Sequence, residues 1–282
     1  MAEHPVDPAA QIESVSQLES VVVALRAIAA ARAEKGRSLL PGIEAYTQVV
    51  LAAIGQALSL LPPNGIAPVR NCAERCGLIV FCAEQGFVGA FNNRILDAAA
   101  SDPTGTEIFL LGTRGAALAA ERGLRAAWTA SMATNTTAIP DLINRLTEAL
   151  YARISGDGVS RLDMLYARSA MAAGIEVHRR SLLPVDFGRF PRPAETRQAL
   201  TNLPPSLLLE RLTAEYVYTE LCRAALLAFE AENEARMLAM AAARTNIQTK
   251  LEALRQAERQ HRQQKTTAEI LELSTGASAL RR

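Results

Sequence analysis

The chain has 282 residues, enough for one or two domains with a real core, and is 49% hydrophobic, mostly Ala and Leu, with 5% aromatic residues. That balance favours helix, because Ala and Leu cost least there. A formal net charge of +1 lacks the basic excess of a free-standing nucleic-acid binder, so no nucleic-acid partner is expected.

The opening "MAEHPVDPAA" has neither the basic start nor the apolar core of a secretory signal. "VVVALRAIAAA" is short and broken by Arg26, so no apolar run is expected to reach the length of a membrane span. Cys72, Cys76, Cys82 and Cys222 make no second pair to complete a metal site and are expected to be free thiols in a reducing cytoplasm. The chain is expected to be soluble and intracellular, reaching a membrane only through a larger complex.

From Gln11 to Leu61 the pattern is helical. Val15, Leu18, Val22, Leu25 and Ala29 alternate steps of three and four, as a coiled-coil seam does. Ile43, Tyr46, Val50, Ala53 and Ala57 continue it after Gly36, Pro41 and Gly42, which predict a weak point or kink. "LPPNGIAP" ends the helix.

Between about 69 and 205 the period changes. "GLIVFCA", "EIFLLGT" and "RLDMLYAR" read as short buried strands, with "EVHRRSLLPVD" as a fourth. Helical stretches fall at about 90–100, 114–122 and 140–154, which predicts an α/β sheet with mostly parallel strands. "FGRFPRPAETRQALTNLPPS" is a Pro-rich connector.

Ser206 to Thr275 contains no Gly and no Pro. As one helix it would run about 105 Å, against roughly 40 Å for a domain of this size. Its own domain cannot bury it. Met237, Met240, Ile247, Leu251 and Leu254 make a narrow seam, and "RQAERQHRQQKTTAE" beyond it has no large apolar residue. A helix polar all round needs something else to surround it. Three regions follow: an N-terminal coiled-coil helix at 1–68, an α/β domain at 69–205 and a long C-terminal coiled-coil helix at 206–282.

Both ends resemble the gamma subunit of F-type ATP synthases, the central rotor shaft. "ENEARMLAMAAARTN" is similar to the family's C-terminal segment, where Ala-Arg-Met is followed by Ala-Met and an Asn. "EILELSTGASAL" resembles the closing signature, on Glu269, Ile270, Glu272, Leu273, Thr275, Gly276, Ala277, Ala279 and Leu280. "IESVSQLESVVVALRAIAAAR" follows the family's Ile-x-Ser-Val opening, and Gly86, Gly89 and Asn92 of "EQGFVGAFN" keep the pattern Asp-Arg-Gly-Leu-Cys-Gly-x-x-Asn. Nearly the whole chain is covered. Ser20, Val21, Val22, Val23, Ala24 and Leu25 stand where the family carries Lys-Ile-Thr-Lys and then Ala-Met. Of Asn-Arg-Ala-Arg-Gln, only Arg262 and Gln263 are kept. These departures fit a divergent member, of a second, alternative F-type ATPase.

The resemblance implies a mixed α/β and α+β fold: a long antiparallel coiled coil of N- and C-terminal helices with an inserted Rossmann-like α/β domain. It implies a non-catalytic shaft that turns inside the alpha and beta subunits of F1 and couples ion flow to ATP synthesis or hydrolysis. The epsilon subunit and c-ring are the expected partners at its foot. No cofactor and no metal are implied, and the place is the cytoplasmic face of a bacterial inner membrane, as a peripheral subunit. Coupling contacts are expected at Leu25, Arg26, Arg255, Arg262, Glu269, Ile270, Glu272, Gly276 and Leu280. The Gly86–Asn92 turn belongs to the foot.

"EQGFVGAF" follows a strand and opens a helix, as a dinucleotide loop does, but it lacks the full Gly-x-Gly-x-x-Gly pattern and reads as a tight structural turn. Arg244, Lys250, Arg255, Arg259, Arg262 and Lys265 outnumber Glu252 and Glu258, either as a solvated face or as contacts to acidic segments of surrounding subunits. A nucleotide-binding α/β enzyme and a coiled-coil scaffold stay open beside the rotor.

Overall fold

A computed structural model describes residues 8–62, 75–103, 105–157, 159–170, 174–190 and 200–279, with the side chains of 272 and 274–279 among those left undescribed. Helix α1 spans Pro8–Ser59 and helix α5 spans Pro205–Ala279. Between them lie β1 (Arg75–Phe81), α2 (Phe91–Ala99), β2 (Glu107–Leu111), α3 (Thr113–Glu121), β3 (Ala126–Ala130), α4 (Ile139–Asp157), β4 (Val159–Ala170) and β5 (Gly174–Leu183).

The sheet order is β3-β2-β1-β4-β5. The first four strands pair in parallel and β5 returns antiparallel along β4. β1 is buried on both faces, which is why it reads as a continuous apolar run. Ile79 and Phe81 join α4 and the α5 segment Leu221–Phe229 in one core, while Leu78 and Val80 join α2 and α3 in the other. β3 was not predicted. "AAWTA" is rich in a helix former, and pairing to β2 overrides that preference.

α3 lies close on β1 because it has Gly115 there. A Cβ at Gly115 would stand 2.1 Å from Cys82 Cβ. Gly112, at φ +108, makes the turn that leads into α3, and its added Cβ would meet the Cys82 carbonyl at 2.4 Å.

The chain divides into two compact units, Ala29–Arg236 and the pair of segments Met1–Ile28 and Met237–Arg282. In the larger unit, α1 and α5 run antiparallel: Arg37 reaches Glu230 (3.0 Å), and Tyr46 donates to Glu215 (2.8 Å). α1 continues as helix through Gly36, Pro41 and Gly42, where the sequence predicts a kink. Gly36 faces α5, with an added Cβ 3.4 Å from Glu230 Cβ, while Pro41 and Gly42 face outward. Packing of the inner face holds the helix through its weak residues.

The predicted α1 seam shifts by one residue at three places. Leu18 is 55% exposed and Glu19 is half-buried instead; Tyr46 gives way to Thr47, and Ala53 to Ile54. In the smaller unit Glu19 accepts from Arg244 (3.4 Å) and Gln248 (2.9 Å) of α5. The α5 seam lies as expected: Met240 and Leu251 are buried, and Met237, Ile247 and Leu254 are half-buried.

One window of α1 reaches a mean hydropathy of 1.3, apolar enough by length and composition to cross a bilayer. The sequence predicted no such run, because Arg26 breaks the longest unbroken apolar stretch. Averaged hydropathy tolerates two charges amid Ala, Leu and Val.

Candidate functional site

The larger unit has a doubly wound sheet, and such sheets bind ligands at the carboxyl ends of their strands, where the strand order switches direction. Here that point lies between β1 and β4. The chain's own α5 occupies it. The backbone N–H groups of Glu84 and Gln85, just past β1, donate to the Glu232 carboxylate, both at 3.3 Å. Arg236, one turn on, donates to Glu232, to Asn233 Oδ1 (3.0 Å), and to the carbonyls of Gly86 (3.2 Å) and Gln85 (3.4 Å). Both side chains are under a tenth exposed. Burial pushes the Glu232 carboxyl up, and Arg236 and the two backbone donors work against that rise.

A second carboxylate fills the other half of the same edge. Glu84 accepts from the Thr113 N–H (2.9 Å) and hydroxyl (2.7 Å) at the start of α3, and from the Met132 N–H (2.7 Å) past β3. Backbone donors that would cradle a phosphate in a nucleotide-binding sheet are thus taken by the protein's own acids.

The Gly86–Asn92 segment turns the chain from β1 into α2. Gly89 sits at φ +58 and Phe87, at φ +61, holds a left-handed conformation that non-glycine residues rarely adopt. Asn92 is buried and its Oδ1 accepts from Ala83 N–H at 2.9 Å. Cys82, beside this loop, is a free thiol pushed up to about 12 by burial and then by the charge of Glu232, so it stays protonated. Cys76 and Cys222 are free as well, and Cys72 lies outside the described residues.

The residues expected to couple lie in the smaller unit. Leu25 is half-buried, while Arg26, Arg255, Glu269 and Ile270 are exposed. Arg262 is 79% exposed and, among the described residues, pairs only with Glu258 one turn back (3.0 Å). From Arg255 to Leu271 every residue but Glu258 is exposed. Glu272 and Gly276 lie within α5, with side chains outside the described set, and Leu280 lies outside the described residues.

Sequence reasoning missed Glu84, Glu232 and Arg236 as a set. A signal was present: Glu230, Glu232, Glu234 and Arg236 interrupt an otherwise apolar stretch, and charges there must be paired.

A helix pair that brackets an α/β sheet, and then leaves a long helix uncovered, defines a stalk-type subunit. The family model described as ATP synthase matches residues 7–280, and the chain belongs to that family, among its gamma chains. The ATP synthase gamma chain of Bdellovibrio bacteriovorus is 23% identical over 98% of both chains. That of Beutenbergia cavernae is 24% identical over 96% of each. In fold the chain resembles a subunit of the Euglena gracilis mitochondrial ATP synthase rotor, at a TM-score of 0.60 and 14% identity, over 91% of this chain and 96% of that one. A chain from the OSCP/F1/c-ring structure of the same enzyme gives 0.64 at 13% identity, over 97% and 93%.

Proposed function

We propose that the chain is the central shaft of a rotary ATPase, non-catalytic in itself, turning within the alpha and beta subunits while the epsilon subunit and c-ring engage its foot. The carrying observation is the exposure of α5 from Arg255 to Leu271. A single helix in water is marginal without a packed face, so this stretch needs a sleeve of other chains. α1 adds a second uncovered face, with Val21 54% and Ile28 50% exposed.

The mechanism follows from differential binding. An asymmetric rod presents a different face to each surrounding catalytic subunit and favours a different nucleotide state in each. Turning the rod cycles those preferences, and nucleotide hydrolysis drives the reverse. Leu25, Arg26, Arg255, Arg262, Glu269, Ile270, Glu272, Gly276 and Leu280 are the proposed contacts. The Glu232–Arg236 clamp would carry torque from the sheet into α5. The site of action is the cytoplasmic face of a bacterial inner membrane.

The test is a pull-down from native membranes with the tagged chain. Recovery of alpha and beta subunits together with the c-ring sustains the shaft. Recovery of none of them returns the chain to a coiled-coil scaffold.

A further inference from the structure

The two edges of the sheet differ in what they carry. β5, at one edge, has Glu176, Arg179 and Arg180, and Arg94 of α2 donates to its Ile175 carbonyl (3.0 Å). Charges of this kind keep an edge from recruiting another strand. β3, at the other edge, reads AAWTA and has neither a charge nor a proline. A bulge at Ala127 disturbs its start, but Trp128, Thr129 and Ala130 pair with β2 in regular register. The Ala130 carbonyl turns inward and accepts from the Gly112 N–H (2.9 Å), so strand alternation turns the N–H and carbonyl of Thr129 outward. Among the described residues nothing bonds to them.

A concavity of about 470 Å³ lies beside this edge, between β3 and α3. Its walls are Leu110 of β2, Ala126 and Thr129 of β3, and Ala116, Ala119 and Ala120 of α3. The alanines of α3 are too small to fill the space over the edge strand. Among the described residues, Arg125 is the one charged group of this lining; it is exposed and makes no ion pair.

We infer that β3 receives an added strand from a partner protein. The strand is an extended segment whose backbone pairs with Thr129, whose large apolar side chain enters the alanine-lined socket, and whose acidic side chain meets Arg125. In such an arrangement main-chain pairing supplies affinity and the socket supplies selection. A second copy of this chain does not fit the same place. Its β3 would turn only Ala126 and Thr129 toward the socket, because Trp128 lies on the opposite face beside Phe109, with ring centroids 6.5 Å apart. It also has no acid to offer Arg125. The inference goes beyond the shaft reading and does not depend on it.

The test uses the full chain, with its one tryptophan, Trp128, as the reporter. The probe is the acetylated and amidated peptide Thr-Glu-Thr-Leu-Thr-Thr, whose acid and leucine share one face of a strand. A saturable blue shift of the Trp128 emission is expected on titration. Alanine in place of the peptide's leucine should weaken binding roughly tenfold, and lysine in place of its glutamate about twofold to fivefold. Thr129→Pro removes an outward N–H while leaving the pairing to β2, as proline does on an edge strand, and should abolish the shift. Should Thr129→Pro fail to fold, Ala120→Leu, at an exposed position of α3, fills the socket and should bring the leucine peptide down to the level of the alanine peptide. The absence of a saturable shift, or binding indifferent to both variants, overturns the added strand. A free chain that sediments as a dimer, and as a monomer once Thr129→Pro is made, overturns the partner protein in favour of a second copy.

Discussion

Glu232 and Arg236, one turn apart on α5, grip one loop by complementary halves of its backbone: the carboxylate takes the N–H groups of Glu84 and Gln85, and the guanidinium takes the carbonyls of Gln85 and Gly86. α5 is therefore fastened to the sheet at the edge where a ligand would otherwise sit. Removing one member of a buried pair leaves the other charge stranded, which costs about 3–5 kcal/mol. Glu232→Ala should lower urea-denaturation stability by that amount, and Glu232→Gln, which still accepts, by less. Amide exchange at Glu84 and Gln85 should quicken in both. Unchanged exchange would show that the turn holds itself.

Asp163 sets an acid limit on the sheet. Its side chain is 3% exposed and is held by Arg179 (2.9 Å) and Arg161 (3.3 Å). Burial pushes its carboxyl up, but the hydrogen bonds and charges of Arg179 and Arg161 outweigh burial and hold it below the ordinary 3.8. A lowered carboxyl contributes stability above the unfolded value and loses it as pH falls through the folded one. Asp163→Asn should cost roughly 1–3 kcal/mol at neutral pH. Its deficit relative to wild type should shrink as pH drops below 3.8. Urea midpoints on both sides of that value check this, and a constant deficit would mean that packing, not charge, is lost.

Two glycines of α1 should respond oppositely to a side chain. Nothing lies within 4 Å of a Cβ at Gly42. Gly42→Ala should stabilise by roughly 0.5–1 kcal/mol, because it removes only unfolded-chain freedom. Gly36 lies against Glu230 and Phe229, each 3.4 Å from an added Cβ. Gly36→Leu should force the helices apart and cost about 1–3 kcal/mol. Thermal midpoints of the two variants must move in opposite directions.

Helical periods made α1 and α5 legible, and buried strands announced β1, β2 and β4 through their apolar runs. What failed was local choice. At Leu18/Glu19 and Tyr46/Thr47 the sequence favours the larger apolar neighbour, but the helix buries the polar one. Thr47 can be buried because its hydroxyl bonds within its own helix. A helix of 3.6 residues per turn also drifts against a 3.5-residue seam, so the buried position slips by one. The charges of the clamp stood out in an apolar stretch, but their partner did not. Glu232 meets Glu84 across about 150 positions of sequence, and no local period encodes such a contact.

Arg262 separates stability from coupling. It is 79% exposed and its ion pair among the described residues, to Glu258, lies on the same helix. Such pairs contribute about 0.3–0.5 kcal/mol, so Arg262→Ala should leave the unfolding midpoint of the chain nearly unchanged. If the chain is the proposed shaft, the same side chain would face the subunits that enclose the helix. ATP-driven ion pumping should then fall relative to ATP hydrolysis, measured on inverted vesicles carrying the variant. Val49, exposed on α1 in the larger unit, supplies a control: Val49→Ala should alter neither quantity. A pumping-to-hydrolysis ratio equal to wild type in the Arg262 variant would make that residue a bystander. The coupling contacts would then have to be sought in the exposed apolar face of α1 at Val21 and Ile28.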